Sequence, residues 1–177
     1  MLEGIPSGRR VFVDSNIFIY HFLDLSDRCT AFLERISAHQ LRGFTSTVVM
    51  AEVLHKLMIA EIAENYKMNR REVNQFIKRC PSVISELERC EAAIQQIPEF
   101  NIEILPLMSG IVIESRNLRH DHNLMTNDSI NLFLMKLAAI EDIATNDSDF
   151  DRIPGTIYKF SENGFFPYIS GLYNYIF

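Results

Sequence analysis

The sequence predicts an α/β protein built on a mostly parallel, five-stranded sheet with helices on both faces. Three observations lead there. Short apolar runs of strand length recur along the chain, longer stretches of helical period separate them, and several runs end in polar or acidic residues. Strands joined through helices run parallel by right-handed crossovers, and such sheets bind ligands beyond the carboxyl ends of their strands.

Arg10-Val11-Phe12-Val13 is a buried first strand, and the triplet Asp14-Ser15-Asn16 turns the chain into a helix from Ile17 to Leu23. Ser26 is placed to cap a second helix, in which Cys29, Phe32, Leu33 and Ile36 recur at helical spacing up to His39. Gly43 to Ser46 is the second strand. Thr47 then caps a helix carrying Val49, Val53, Leu54, Leu57 and Met58, with Glu52 in its early turns.

From about residue 61 to 97 the chain is helical in character, with Asn69 as a cap, Pro81 as a break and a stripe through Val73, Phe76, Ile77, Cys80, Ile84, Leu87 and Ile94. This reads as a helical hairpin inserted between the second and third strands. Its simplest role is to cover the sheet; a lid or a binding surface is the sharper one. Asn101 to Leu105, closed by Pro106, is the third strand, followed by a helix to about Arg119 and a polar loop, His120-Asp121-His122-Asn123. Thr126-Asn127-Asp128 opens a strongly apolar helix reaching Ile140, and Asp128 sits in its first turn, where the helix dipole favours a negative charge. Ile143-Ala144-Thr145 is the fourth strand, Asp147 to Phe150 its C-terminal loop, and residues 156–160 a fifth, edge strand.

With 177 residues, 47% hydrophobic and 23% charged, the chain has the composition of an ordered globular protein with a substantial core. One domain over residues 1–177 is expected: a core at about 11–160, the insertion at 61–97 and an aromatic C-terminal tail at 161–177. No secretory signal or membrane-spanning run is legible, so a cytoplasmic protein is expected. Cys29, Cys80 and Cys90 have neither metal-ligand spacing nor a close pair, and read as reduced thiols. The formal charge of −6 argues against broad adhesion to a polyanion, although a local basic rim is compatible with phosphate binding once cations neutralise an acidic pocket.

Four acids, Asp14, Glu52, Asp128 and Asp147, each lie beside an apolar segment that reads as a strand end or a helix start. A charge beside a core is costly unless something compensates it, and a divalent cation is the simplest compensation. The motifs hold no His or Cys, and hard cations prefer carboxylate oxygens, so the donor set points to Mg²⁺ or Mn²⁺ rather than zinc. Such an ion activates water for in-line attack at phosphorus, a route that leaves a 5′-phosphate. Taken singly, Asp14 or Asp128 is explained as a helix-start residue satisfying open amides, Glu52 as a solvated helix residue, and Asp149 as a turn residue. Four such coincidences together are a weaker explanation than a site. His120 and His122 alternate as ligands do, but a hydrophilic loop explains them. Arg9, Arg10, Lys56 and Arg152 are cations near the proposed mouth that could contact phosphates, though solvated charge is the simpler explanation of each. The tail residues Phe165, Phe166, Tyr168, Leu172, Tyr173, Tyr175, Ile176 and Phe177 suit packing over a sheet edge, with a dimer or partner interface as the alternative.

The strings Val13-Asp14-Ser15-Asn16, Thr126-Asn127-Asp128-Ser129 and Ala144-Thr145-Asn146-Asp147-Ser148-Asp149-Phe150, with a helical Glu52 after Thr45-Ser46, resemble the successive motifs of the PIN-domain nucleases, especially the VapC-like group. The resemblance covers about residues 11 to 160. It implies a three-layer α/β/α sandwich and Mg²⁺- or Mn²⁺-dependent cleavage of RNA. It further implies Asp14 as the central ligand, Asp128 and Asp147 completing the metal site, and Glu52 holding a second ion or orienting the nucleophile. Asp149 is an outer ligand or a substitute for Asp147, and Asn16, Ser15 and Thr145 are donors that fix the carboxylates. The chain is then either the toxin of a toxin–antitoxin pair or an RNA-processing enzyme; its expected partners are RNA, in the toxin case a small antitoxin whose segment fills the acidic groove, and a second copy of the chain.

Two other classes compete with the nuclease. A catalytically idle PIN-like module that binds RNA or protein needs no acidic set, and the set here is complete. A phosphatase or phosphoacceptor with Asp14 as nucleophile needs a second Asp two residues on or a motif lysine, and Asn16 stands in that position.

Overall fold

A computed structural model describes residues 1–158. Five parallel strands, β1 (Arg10–Val13), β2 (Arg42–Ser46), β3 (Glu103–Leu105), β4 (Asp142–Ala144) and β5 (Thr156–Tyr158), lie in the order β3-β2-β1-β4-β5. The chain steps outward from β1 to β3, then returns past β1 to β4 and moves on to β5. Right-handed crossovers turn that reversal into two helical layers. The first leg supplies α1 (Ser15–Phe22), α2 (Asp27–Ser37), α3 (Thr47–Tyr66), α4 (Arg70–Arg79) and α5 (Arg89–Gln96). The second supplies α6 (Ser109–Glu114), α7 (Arg116–His122) and α8 (Thr126–Leu137). The result is the expected α/β/α sandwich. Its order reverses between β1 and β4, and a crevice opens beyond the carboxyl ends of strands at such a point.

The sheet's centre is dry: Val11, Phe12 and Val13 are fully buried, with Ile17, Phe18, Ile36, Val49, Ile62 and Phe150 among the side chains around them. Gly43, opposite Val11 in β2, has no room for a side chain, because a Cβ there would lie 2.7 Å from Ile36 Cγ2 and 2.9 Å from Ile102 Cγ1. Glycine here lets α2 close onto the sheet. Among the described residues, no helix is long and apolar enough to cross a membrane.

Several boundaries differ from the sequence reading, each for a local reason. Ser46, not Thr47, caps α3, accepting a hydrogen bond from the Val49 amide, while the Thr47 hydroxyl accepts one from the Leu107 amide. α3 meets no breaker at residue 61 and runs unbroken to Tyr66, ending on left-handed Lys67. The inserted helices α4 and α5 are both packed on α3, whose last turns open the insertion, and a 3₁₀ turn at Pro81–Glu86 separates them. Asn69 caps α4 as expected, in a reciprocal arrangement with Glu72. The expected helix to Arg119 is two helices, and His120 to His122 are the last turn of α7 rather than a loop; Asn123, in the left-handed conformation, ends it. α8 stops at Leu137, before Ile140, because Ala139 turns left-handed. Asp147 to Phe150 form no open loop: Asp147 caps a 3₁₀ turn, Ser148–Arg152. Residues 159–177, and with them the aromatic tail, lie outside the described residues.

Glu61 explains how the insertion is fastened. No side chain of α5's own caps its start. The Glu61 carboxylate, buried in α3, takes that place, accepting from the amides of Glu88 and Arg89 at 3.2 Å and of Cys90 at 2.8 Å. Burial works to raise its pKa, but those amide donors outweigh it and hold the carboxyl below the ordinary 4.5. In Glu61→Gln one oxygen becomes an NH₂ group unable to accept, so denaturant unfolding is expected to show a loss of about 2 kcal/mol near pH 7. The carboxylate's contribution is present above the unfolded pKa and vanishes as pH falls through the lowered native value. Wild type and variant therefore converge in strong acid; a pH-independent difference would refute the role of the charge.

Candidate metal centre

Four acids from four separate stretches of chain, together with a neighbouring fifth, gather at the reversal point. Asp14 leaves β1 and is the N-cap of α1, Glu52 projects from the second turn of α3, Asp128 from the first turn of α8, and Asp147 follows β4. Asp14, Glu52, Asp128 and Asp147 line one hollow of about 240 Å³, together with Ser15, Asn16, Tyr20, Lys56, Asn146 and Ser148. Asp128, Asp147 and Asp149 each offer a carboxylate oxygen, all within 4.8 Å of one another. Asp149 is in that trio but not in the wall of the hollow; its Oδ1 lies 2.6 Å from Arg152 Nη2.

Asp14 is the most constrained of the set. It is 7% exposed, its Oδ1 accepts from the Ser15 amide at 2.7 Å, and its Oδ2 accepts from Asn16 Nδ2 at 2.8 Å and the Thr145 hydroxyl at 2.6 Å. The donors are themselves tied to β4: Asn16 Oδ1 accepts from the Asn146 amide, and Thr145 Oγ1 from the Asp147 amide. Ser15, Asn16 and Thr145 thus each hydrogen-bond the Asp14 carboxylate. Ser15 works twice, because its hydroxyl also donates to Glu52 Oε1 at 3.1 Å. A buried hydrogen bond of 2.7 Å from the Ser46 hydroxyl to Asn131 Oδ1 joins the cap of α3 to α8, and so fixes the helix bearing Glu52 against the helix bearing Asp128.

The electrostatics follow from this crowding. Burial, and then the charges of Glu52 and Asp147, push the Asp14 carboxyl up to about 6 against the pull of its Thr145 and Ser15 hydrogen bonds. Asp128 rises to about 7, through burial first and then Asp14, Asp147, Glu52 and Asp149. Carboxyls so placed hold protons that a cation would displace. The carboxylate donors are oxygens, with no His or Cys lining the hollow among the described residues, and that chemistry fits Mg²⁺ or Mn²⁺.

Tyr20, Asn146 and Ser148 in the wall go beyond the sequence reading, and Lys56 joins them from between the two roles the sequence leaves it, solvated charge and phosphate contact. Helical spacing carries a signal for two of them: Tyr20 follows Asn16, and Lys56 follows Glu52, by one turn, so each shares its neighbour's face. Among the described residues that line the hollow, neither His120 nor His122 appears.

A parallel sandwich with carboxylates converging at its reversal point defines a class: α/β/α proteins with an oxygen-donor site suited to a hard cation. The chain belongs to the PIN domain family, whose model matches residues 11–156. It is 28% identical over 144 residues to "Ribonuclease VapC2" of Methanocaldococcus jannaschii, an alignment covering 81% of this chain and 89% of that one. Among solved structures it is similar to Mycobacterium tuberculosis VapC20, described as a sarcin-ricin loop cleaving toxin. That match has a TM-score of 0.55 at 13% identity, over 82% of this chain and 96% of that one. It is also similar to a toxin–antitoxin complex from Klebsiella pneumoniae, with a TM-score of 0.54 at 21% identity over 85% and 99%.

A raised carboxyl pKa means the folded state holds more protons than the unfolded one between the two values. The metal-free protein therefore loses stability as pH rises from about 4 towards 7. Asp128→Asn removes one of the repelling charges. Its melting temperature without divalent ions at pH 8 is expected to exceed that of wild type by at least about 2 °C, the change that 1 kcal/mol makes in a chain of this size. The gap should close near pH 4, and a variant that melts below wild type at pH 8 would show that the charges do not repel.

Proposed function

We propose that the chain is a metal-dependent endoribonuclease, hydrolysing RNA phosphodiester bonds as the toxin of a toxin–antitoxin pair. The observation that carries the reading is the convergence of Asp14, Glu52, Asp128 and Asp147 on one hollow. The curated relative's name supplies the reaction class, and toxin–antitoxin complexes among the structural relatives support an antitoxin as partner. RNA as substrate and the cytoplasm as the place of action belong to the same reading, as does a homodimer as the assembly.

In this mechanism Asp14, Asp128 and Asp147 would hold the Mg²⁺ or Mn²⁺ ion, Glu52 would serve a second ion or orient water, and Asp149, which offers an oxygen within 4.8 Å of those of Asp128 and Asp147, would be an outer ligand. The bound ion supplies charge neutralisation at phosphoryl oxygens and lowers the pKa of water. The protein's part is preorganisation. Thr145, Asn16 and the Ser15 amide hold Asp14 in one orientation, so no rotamer search accompanies binding. Ser15 aims Glu52, and the Ser46–Asn131 bond keeps the spacing between α3 and α8.

Single substitutions Asp14→Asn and Asp128→Asn are expected to lower Mn²⁺-dependent cleavage of single-stranded RNA by at least about 10²-fold with the fold intact, and wild-type products should carry 5′-phosphates. Undiminished cutting by both purified variants would refute the assignment. Mn²⁺ should also raise the melting temperature of the wild type but not of the Asp14→Asn, Asp128→Asn double variant, because a ligand stabilises the state that binds it. Equal shifts would place the ion elsewhere.

A further inference from the structure

Among the described residues lining the acidic hollow, Lys56 is the one that carries a fixed positive charge. It lies one turn beyond Glu52 on α3, its Nζ is 2.9 Å from Glu52 Oε1, and its side chain is 21% exposed. An i,i+4 pair on open surface is worth only a few tenths of a kcal/mol and needs no explanation. This pair differs because it stands in the wall of a concave site whose other charged groups are acidic. A polyanion entering that wall meets four carboxylates, and neutralisation by cations at their centre leaves the outer, non-reacting phosphates without a partner from the protein.

Resting on the nuclease reading above, we propose that Lys56 is the substrate-binding cation of the hollow: it pairs with Glu52 when RNA is absent and takes a phosphate oxygen of the strand when RNA is bound. A lysine suits this exchange, because its ammonium is a compact charge on a long flexible stem. Once a divalent ion draws on the Glu52 carboxylate, the attraction holding Nζ there weakens and a phosphate one rotamer away competes for it. Lys56 is thus a positioning residue for the strand, acting at a phosphate and carrying no base specificity.

The test is RNA binding rather than turnover, in an Asp14→Asn background that keeps the strand uncut. Fluorescence anisotropy with a short single-stranded RNA, in Mn²⁺ across a salt series, compares this parent with added Lys56→Met, Lys56→Arg or, on the far surface of α4, Lys78→Met. Lys56→Met is expected to weaken binding about 10-fold and to flatten the slope of log K against log salt by about 0.7, the loss of one phosphate contact on a single strand. Lys56→Arg and Lys78→Met should both retain parental affinity. With Asp14 intact, the Mn²⁺-induced rise in melting temperature should survive Lys56→Met, which shows that the ion still binds and the chain still folds. Parental affinity and slope in Lys56→Met would overturn the assignment of Lys56 alone. A parent that binds no RNA would overturn it together with the nuclease reading.

Discussion

Repulsion among carboxylates packed into one crevice is the constraint to which the rest of this structure answers. Asp14 and Asp128 both sit well above the ordinary carboxyl range, and burial and the neighbouring acids both push them there. A fold tolerates that only if other groups hold the acids in place. Here Thr145, Asn16 and the Ser15 amide converge on Asp14, and α8 presents its N-terminal turn to Asp128. The arrangement stores electrostatic cost in the free protein and releases it to whatever positive charge enters.

The topology makes this crowding possible. Because the strand order reverses between β1 and β4, the chain segments leaving those strands diverge to opposite faces and leave a gap over their ends. Asp14 and Asp147 occupy the two lips of that gap. α3 and α8 approach it from different layers, and the buried Ser46–Asn131 bond sets their distance. Asn131 lies three residues after Asp128, among the buried apolar side chains of Ile130, Leu132 and Leu134, so a polar core residue fixes the register on which the site depends. Far from the crevice, Glu61 performs a similar service for the insertion, lending α5 the cap it lacks.

Much of this was legible in the sequence, for physical reasons that can be named. Val11 to Val13 and Ile143-Ala144 are short apolar runs bounded by polar residues, and a buried parallel strand leaves that pattern. Asp14, Asp128 and Asp147 stood out because each interrupts the boundary of such a run. Ser46 was overlooked as the cap of α3 because Thr47 beside it is an equally good candidate, and only backbone geometry separates them. His120 to His122 read as loop because a solvated helical turn and a polar loop have the same composition. The packing of α4 and α5 on α3, and the place of Tyr20 and Lys56 in the wall, depend on contacts between distant segments that no local period encodes.

The central claim is that these side chains grip one hard cation, and a crystal soaked in Mn²⁺ tests it directly through anomalous scattering. The account predicts a peak inside the hollow, about 2–2.5 Å from oxygens of Asp14, Asp128 and Asp147. A crystal in which these carboxylates stay turned apart while Mn²⁺ binds only at other surface acids would contradict it.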